Sequence, residues 1–177
     1  LILFGAVAGI LFFVFKYRPQ KKSNIKDLYA EGLDMLITGH RRGAYQNFRT
    51  IIHKDTNNIK AYLHLGQVIR EGGNPEQALK IHRGVTFRKG LTLYEKLELH
   101  KNLSLDYKAI SNIESAIVEV HNMLTLDKTN EWAISQLIKL YREENNWAKA
   151  GKYLELYQKV TEKIDIHKIA LFKIEEG

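Results

Sequence analysis

The sequence predicts an all-α protein: a solenoid of about four helix-turn-helix units behind an N-terminal transmembrane helix. Three observations point there. Fifteen residues without a polar side chain open the chain, a 34-residue period runs through most of the remainder, and only 2 prolines interrupt 177 residues that are 45% hydrophobic. That length allows one domain or a short repeat array with a sizeable core, and the apolar content excludes a disordered chain. With no cysteine, these residues offer no disulfide framework, thiolate metal site or cysteine nucleophile.

The first element is the run Leu1 to Phe15, LILFGAVAGILFFVF, followed at once by Lys16, Arg18, Lys21 and Lys22. Fifteen helical residues at about 1.5 Å each span roughly 22 Å, short of a ~30 Å hydrocarbon core. The chain starts without Met, so a few preceding residues are expected to complete the span. A cleaved signal would carry its basic residues before the apolar run rather than after it. The order found here predicts a retained anchor over 1–16 with Tyr17 at the interface, a basic linker over 17–24, and everything downstream in the cytoplasm.

That collar explains the charge. The chain carries 27 Lys+Arg against 20 Asp+Glu, net +7; without the four collar residues the balance is 23 against 20, net +3. The collar faces an anionic inner leaflet. No basic stripe interleaved with aromatics is left downstream, which argues against a nucleic-acid partner.

The 34-residue period organises the rest. Gly32, Gly39, Ala44 and Phe48 recur 34 residues later as Gly66, Gly73, Ala78 and His82, and Leu103, Tyr107 and Ala116 recur as Leu137, Tyr141 and Ala150. The middle shift is 38, which places a four-residue insertion between Thr86 and Lys96. The units are 25–58, 59–96 with the insertion, 97–130 and 131–164, and 165–177 opens a fifth that stops without a partner helix. Solenoids need capped ends, so the chain is expected to be a fragment lacking C-terminal residues. Within the second unit, Tyr62, Leu65, Gly66 and Ile69 precede Ala78 and His82 at the spacing of two packed helices. This unit resembles the tetratricopeptide repeat, whose small residues let the helix axes approach. The junctions agree: Asp55-Thr56-Asn57-Asn58 and Asp127-Lys128-Thr129-Asn130 end one helix and cap the next, while Gly72-Gly73, Asn74 and Pro75 stop one helix and start another.

Catalytic chemistry is missing from these residues. No two of the 7 histidines are three to five apart, so no helix offers zinc-ligand spacing. The loop Gly84 to Gly90 lacks the Gly-Lys-Ser/Thr ending of a phosphate cradle, and Gly39-His40-Arg41-Arg42-Gly43 falls at a turn between helices. His82 reads as a buried spacer rather than a base. The expectation is a protein that is not an enzyme and holds no cofactor in this stretch.

Stacked units offer partners a wall built from the first helix of each pair. Its positions are Lys26, Tyr29, Leu33 and Leu36 in the first unit, then Lys60, Leu63, Gln67 and Arg70, then Glu98, Lys101, Leu105 and Lys108, and finally Trp132, Ser135, Lys139 and Arg142. Arg70, Lys101, Lys108, Trp132, Lys139 and Arg142 are the candidate groove residues, suited to an acidic segment or a terminal carboxylate. The same pattern also fits solvated lysines on ordinary helix faces.

An apolar span, a basic collar and then repeats is the layout of the bacterial lipopolysaccharide assembly protein B family, and local wording is similar too. Leu63-x-Leu65-Gly66-x-x-x-Arg70-x-x-Gly73 followed by Ala78-x-x-Ile81-His82 resembles its second unit. The insertion with Leu103-x-x-Asp106-Tyr107 and Ala116 is similar to its third. Leu137-x-x-Leu140-Tyr141, Trp147-x-Lys149-Ala150 and Ile169-Ala170-x-Phe172 are similar to the units beyond that one. The turn Ile110-Ser111-Asn112-Ile113 departs from the family, which has glycine there.

The resemblance implies a non-enzymatic adaptor in the bacterial inner membrane, single-pass, with its repeats in the cytoplasm. It implies a role in regulating lipopolysaccharide synthesis, by promoting proteolysis of the lipid A pathway deacetylase by a membrane AAA protease, and contacts with envelope assembly proteins. It also implies a C-terminal rubredoxin-like domain binding iron or zinc, for which these residues supply no cysteines. Two alternatives stay open: a membrane-tethered repeat scaffold for envelope assembly facing the periplasm, and the substrate-delivery part of an enzyme whose catalytic domain lies elsewhere.

Overall fold

The computed structural model describes residues 24–162. The apolar run, the collar residues Lys16, Arg18, Lys21 and Lys22, and the fifth unit fall outside them. Among the described residues no helix is long and apolar enough to cross a membrane.

Eight helices succeed one another along the described residues: α1 (Ile25–Ile37), α2 (Arg41–Lys54), α3 (Ile59–Glu71), α4 (Pro75–Thr86), α5 (Leu93–Ala109), α6 (Ile113–Leu126), α7 (Glu131–Glu143) and α8 (Trp147–Thr161). Each packs on the next, and α3 also packs on α5. Short turns between packed neighbours make each pair antiparallel. Asparagine sets most of the starts. Asn24, Asn58, Asn74, Asn112, Asn130 and Asn146 each accept a backbone N–H from the first turn they cap, worth about 1 kcal/mol per cap.

The turns inside the four pairs share one geometry. The second residue past the helix is left-handed in each, Gly39 (φ 79°), Gly73 (φ 90°), Ser111 (φ 61°) and Asn145 (φ 56°). The next N–H reaches back five residues: His40 to Met35, Asn74 to Ile69, Asn112 to Tyr107, Asn146 to Tyr141. This is the Schellman arrangement, which satisfies carbonyls the helix end leaves open. The glycine missing at Ser111 therefore leaves the turn unchanged.

Packing keeps the period. Ala44, Ala78, Ala116 and Ala150 are completely buried. Four residues beyond each alanine stands the side chain that fills the pair, Phe48, His82, Val120 or Leu154, and its size is matched on the first helix. Opposite the two rings stand Gly32 and Gly66; a Cβ on Gly32 would come 3.0 Å from Phe48 Cζ, and one on Gly66 would overlap His82 Nε2. At the equivalent positions the aliphatic units carry Ser104 and Ile138.

The core is segmented. One apolar cluster joins the first two pairs around Phe48 and Leu65, and another joins the last two around Met123 and Leu137. Between them the second and third pairs share only a small cluster of Leu63, Val85, Leu99 and Leu103. The insertion falls at this junction. It moves the start of α5 to Leu93, four residues ahead of Leu97 where the third unit opens by the sequence period, and Thr92 and Glu95 form a capping box there.

Candidate partner-binding face

The first helices α1, α3, α5 and α7 lie side by side in parallel. Near their starts, Lys60 Nζ stands 5.7 Å from the centre of the Tyr94 ring. Near their ends, Arg70 pairs with Asp106 at 2.7 Å and Lys108 with Glu143 at 2.5 Å. Between α5 and α7, Lys101 Nζ lies 5.6 Å from the Trp132 ring centre. Of the candidate groove residues, Lys101 and Trp132 meet each other, while Arg70 and Lys108 pair with acids outside that set.

They differ in what they leave for a partner. Arg70 is engaged inside the fold: its side chain is 12% exposed, and its guanidinium donates to Oδ1 of both Asp106 and Asn102. The reason lies on α5. Asp106 is completely buried, and a buried carboxylate requires a counter-charge. Leu63, placed on the wall by its register, is 4% exposed and packs into the junction instead. Lys101 pairs with Glu98 at 3.3 Å and Lys108 with Glu143, so both cations are partly neutralised. At the far end Lys139 and Arg142 are exposed. With Glu143, Asn145 and Trp147 they line an open cavity of about 370 Å³, and the Arg142 guanidinium stands 5.9 Å from the Trp147 ring centre. An exposed cation pair beside an aromatic suits a carboxylate with an apolar neighbour.

Behind the face lies a buried network that sequence reasoning missed. His82 on α4 is completely buried. Its Nε2 is 3.0 Å from the Leu63 carbonyl, and since a carbonyl only accepts, Nε2 donates. Its Nδ1 is 2.5 Å from Asp106 Oδ2, within hydrogen-bond distance of the carboxylate. His82 is therefore the spacer expected and also a clamp, joining α3, α4 and α5 through one carboxylate. The available signal was Asp106 itself, an acid on the buried side of its helix. Among the described residues no group of three His, Asp or Glu side chains is placed to hold a metal ion.

Stacked antiparallel helix pairs with small residues at the crossings define a tetratricopeptide-repeat fold. Solved structures agree: a MamA crystal structure superposes with a TM-score of 0.68 at 19% identity, covering 86% of this chain and 82% of that one. A thermophilic tetratricopeptide protein of Thermus thermophilus matches with a TM-score of 0.68 at 16% identity, covering 99% and 93%. No family model matches the chain. Among curated proteins the chain is similar to lipopolysaccharide assembly protein B, as its layout and wording suggested. The Escherichia coli K12 protein is 29% identical over 124 residues, 69% of this chain and 31% of its own length. That of Haemophilus influenzae Rd is 25% identical over 142 residues, 75% of this chain and 35% of its own. The match thus spans about a third of these curated relatives' length.

Proposed function

We propose that this chain is the repeat region of a non-enzymatic, membrane-anchored adaptor that presents the face of α1, α3, α5 and α7 to protein partners. The observation that carries this reading is the end of that face, where the exposed Lys139 and Arg142 line an open cavity of about 370 Å³ together with Trp147. Similarity to proteins named for lipopolysaccharide assembly supports a role in that process. The apolar run Leu1 to Phe15 and its basic collar support a single-pass anchor in the inner membrane, with the repeats in the cytoplasm.

The finer role is promotion of deacetylase proteolysis by a membrane AAA protease. Confinement to the membrane plane raises the local concentration of membrane partners without any new contact. The thiolate ligands of a rubredoxin-like metal site would come from outside these 177 residues, which contain no cysteine.

Two experiments test the reading. Deleting the gene should raise the deacetylase level; an unchanged level removes the proteolytic role. Charge reversal at Lys101, Lys108 and Lys139 together should abolish co-purification of the protease or the deacetylase with the full-length protein, and unchanged recovery removes the groove.

A further inference from the structure

The junction between α4 and α5 is longer than the other two junctions between pairs and displays side chains that repeat packing does not need. Phe87 is 85% exposed, and Leu93 and Tyr94 are 56% and 59% exposed. Arg88 and Lys89 adjoin Phe87 and are exposed, and the loop turns at Gly90 with φ 76°. Arg88 is steadied from below by Asn57 Oδ1 at 3.4 Å and by the Tyr62 ring at 5.4 Å. Lys96 lines one cavity with Arg88, and Lys60 lies over Tyr94. The acids nearby are occupied: Glu95 accepts from the Thr92 N–H and hydroxyl, and Asp55 from the Asn57 N–H and the Asn58 amide. The result is a protruding aromatic beside a cluster of four cations, Lys60, Arg88, Lys89 and Lys96, and neither of those two acids forms an ion pair with any of them among the described residues.

Its place in the fold gives it an occupant. Because the first helices are parallel, their starts share one edge, and the loop at Phe87 lies on the same edge as Asn24. The chain reaches Asn24 from the apolar run through residues 16–23, eight residues that span at most about 29 Å when fully extended. One helix-to-helix step is about 10 Å, so the loop stands two such steps from Asn24, within the reach of that tether. A second basic and apolar patch, Ile37 (85% exposed) with Arg41 and Arg42, lies on the opposite edge, about 20 Å away along a 13-residue helix.

We infer that the edge bearing Phe87 rests on the anionic surface of the membrane, with Phe87 among the headgroups and Arg88, Lys89 and Lys96 facing lipid phosphates. The inference rests on the anchoring reading above. Aromatic rings are favoured at the headgroup level, and each lysine or arginine close to an anionic leaflet strengthens association roughly fivefold. The edge contact would fix how the face of first helices stands above the bilayer.

These 177 residues contain no cysteine, so this stretch can be labelled at a single site. The 177-residue chain carrying Phe87→Cys or Ile37→Cys is labelled with an environment-sensitive fluorophore and reconstituted into vesicles of phosphatidylethanolamine and phosphatidylglycerol containing a quencher-bearing lipid. The probe at position 87 should lose most of its emission and the probe at 37 little. The loss should vanish with Arg88→Glu and Lys89→Glu, and in phosphatidylcholine vesicles. Equal quenching at both positions, or none at 87 in protein that floats with the vesicles, overturns the inference. A probe at 87 shielded from iodide yet untouched by the lipid quencher identifies a protein contact instead, and overturns it too. Protein that does not float refutes the anchor itself, an outcome distinguishable from the others.

Discussion

His82 Nδ1 stands 2.5 Å from Asp106 Oδ2 with both side chains fully buried, and the other oxygen of the same carboxylate receives Arg70 at 2.7 Å. Asp106→Ala strands two buried cationic or hydrogen-bonding groups at once, and its expected cost is about 3 kcal/mol in urea unfolding. The first pair shows how the network could be replaced, since Phe48 packs there against Gly32 as His82 does against Gly66. The triple variant Arg70→Met, His82→Phe, Asp106→Leu should return to within about 1 kcal/mol of the parent. A loss in the single variant below the error of the titration would show that the triad is not what joins α3 to α5.

Two glycines should respond to alanine with opposite signs. At Gly66 the new methyl overlaps Nε2 of a ring fixed at both nitrogens, and the overpacking should cost about 2 kcal/mol. At Gly84 in α4 nothing lies within 4 Å, so Gly84→Ala should raise stability by about 0.5–1 kcal/mol through helix propensity. Melting temperatures of the two variants, measured side by side, check the pair.

The turn at Ser111 holds a residue with a Cβ at φ 61°. Ser111→Gly should stabilise by about 1 kcal/mol, and Asn145→Gly, starting from a residue that tolerates this region, by less. Chemical denaturation gives the comparison, and a destabilised Ser111→Gly would contradict the backbone account.

Two imidazoles predict a pH dependence. Burial lowers the pKa of His64, stacked on Phe48 at 5.3 Å, against a smaller opposing effect of its hydrogen bond with Gln67. Burial also lowers that of His121, which is hydrogen-bonded to Tyr141, with Lys149 adding to the effect. The folded state therefore binds these protons less readily than the unfolded chain, whose histidines titrate near about 6.5. Stability from these groups is complete above about pH 6.5 and is lost as pH falls through that value toward the folded-state pKa values. Urea midpoints at about pH 7.5 and 5.5 should differ in the parent and differ less in His64→Leu, His121→Leu; an unaltered difference would exclude these two side chains as the source.

The fold was legible because packing repeats with the sequence. Ala44, Ala78, Ala116 and Ala150 mark the crossings, and the Asp-x-x-Asn junctions at 55–58 and 127–130 end and begin helices as read. For the candidate site, only helix register was legible. Spacing placed Arg70, Lys101, Lys108, Trp132, Lys139 and Arg142 together, but spacing within one helix says nothing of what the next helix brings. Asp106, 36 residues from Arg70, decides that Arg70 turns inward, and Glu143 decides the same in part for Lys108. The start of α5 at Leu93 was hidden for a related reason: periodicity counts inserted residues without telling whether they lengthen a loop or a helix, and here Thr92 and Glu95 make them helix.

The paired first helices give the array unequal joints. Between α3 and α5 the connection is a buried ion pair whose rupture costs about 3–5 kcal/mol, whereas between α5 and α7 the Lys108–Glu143 contact is 34% and 42% exposed and is worth about 1 kcal/mol or less. The joints are thus held by different means: the second and third pairs by a buried polar tie beside a small apolar cluster, the last two by a large apolar cluster with its ion pair at the surface. A ligand seated around Lys139, Arg142 and Trp147 would therefore meet a pair held by water-excluding packing, whereas the middle of the array depends on one carboxylate, Asp106, for the cohesion its four apolar side chains do not supply.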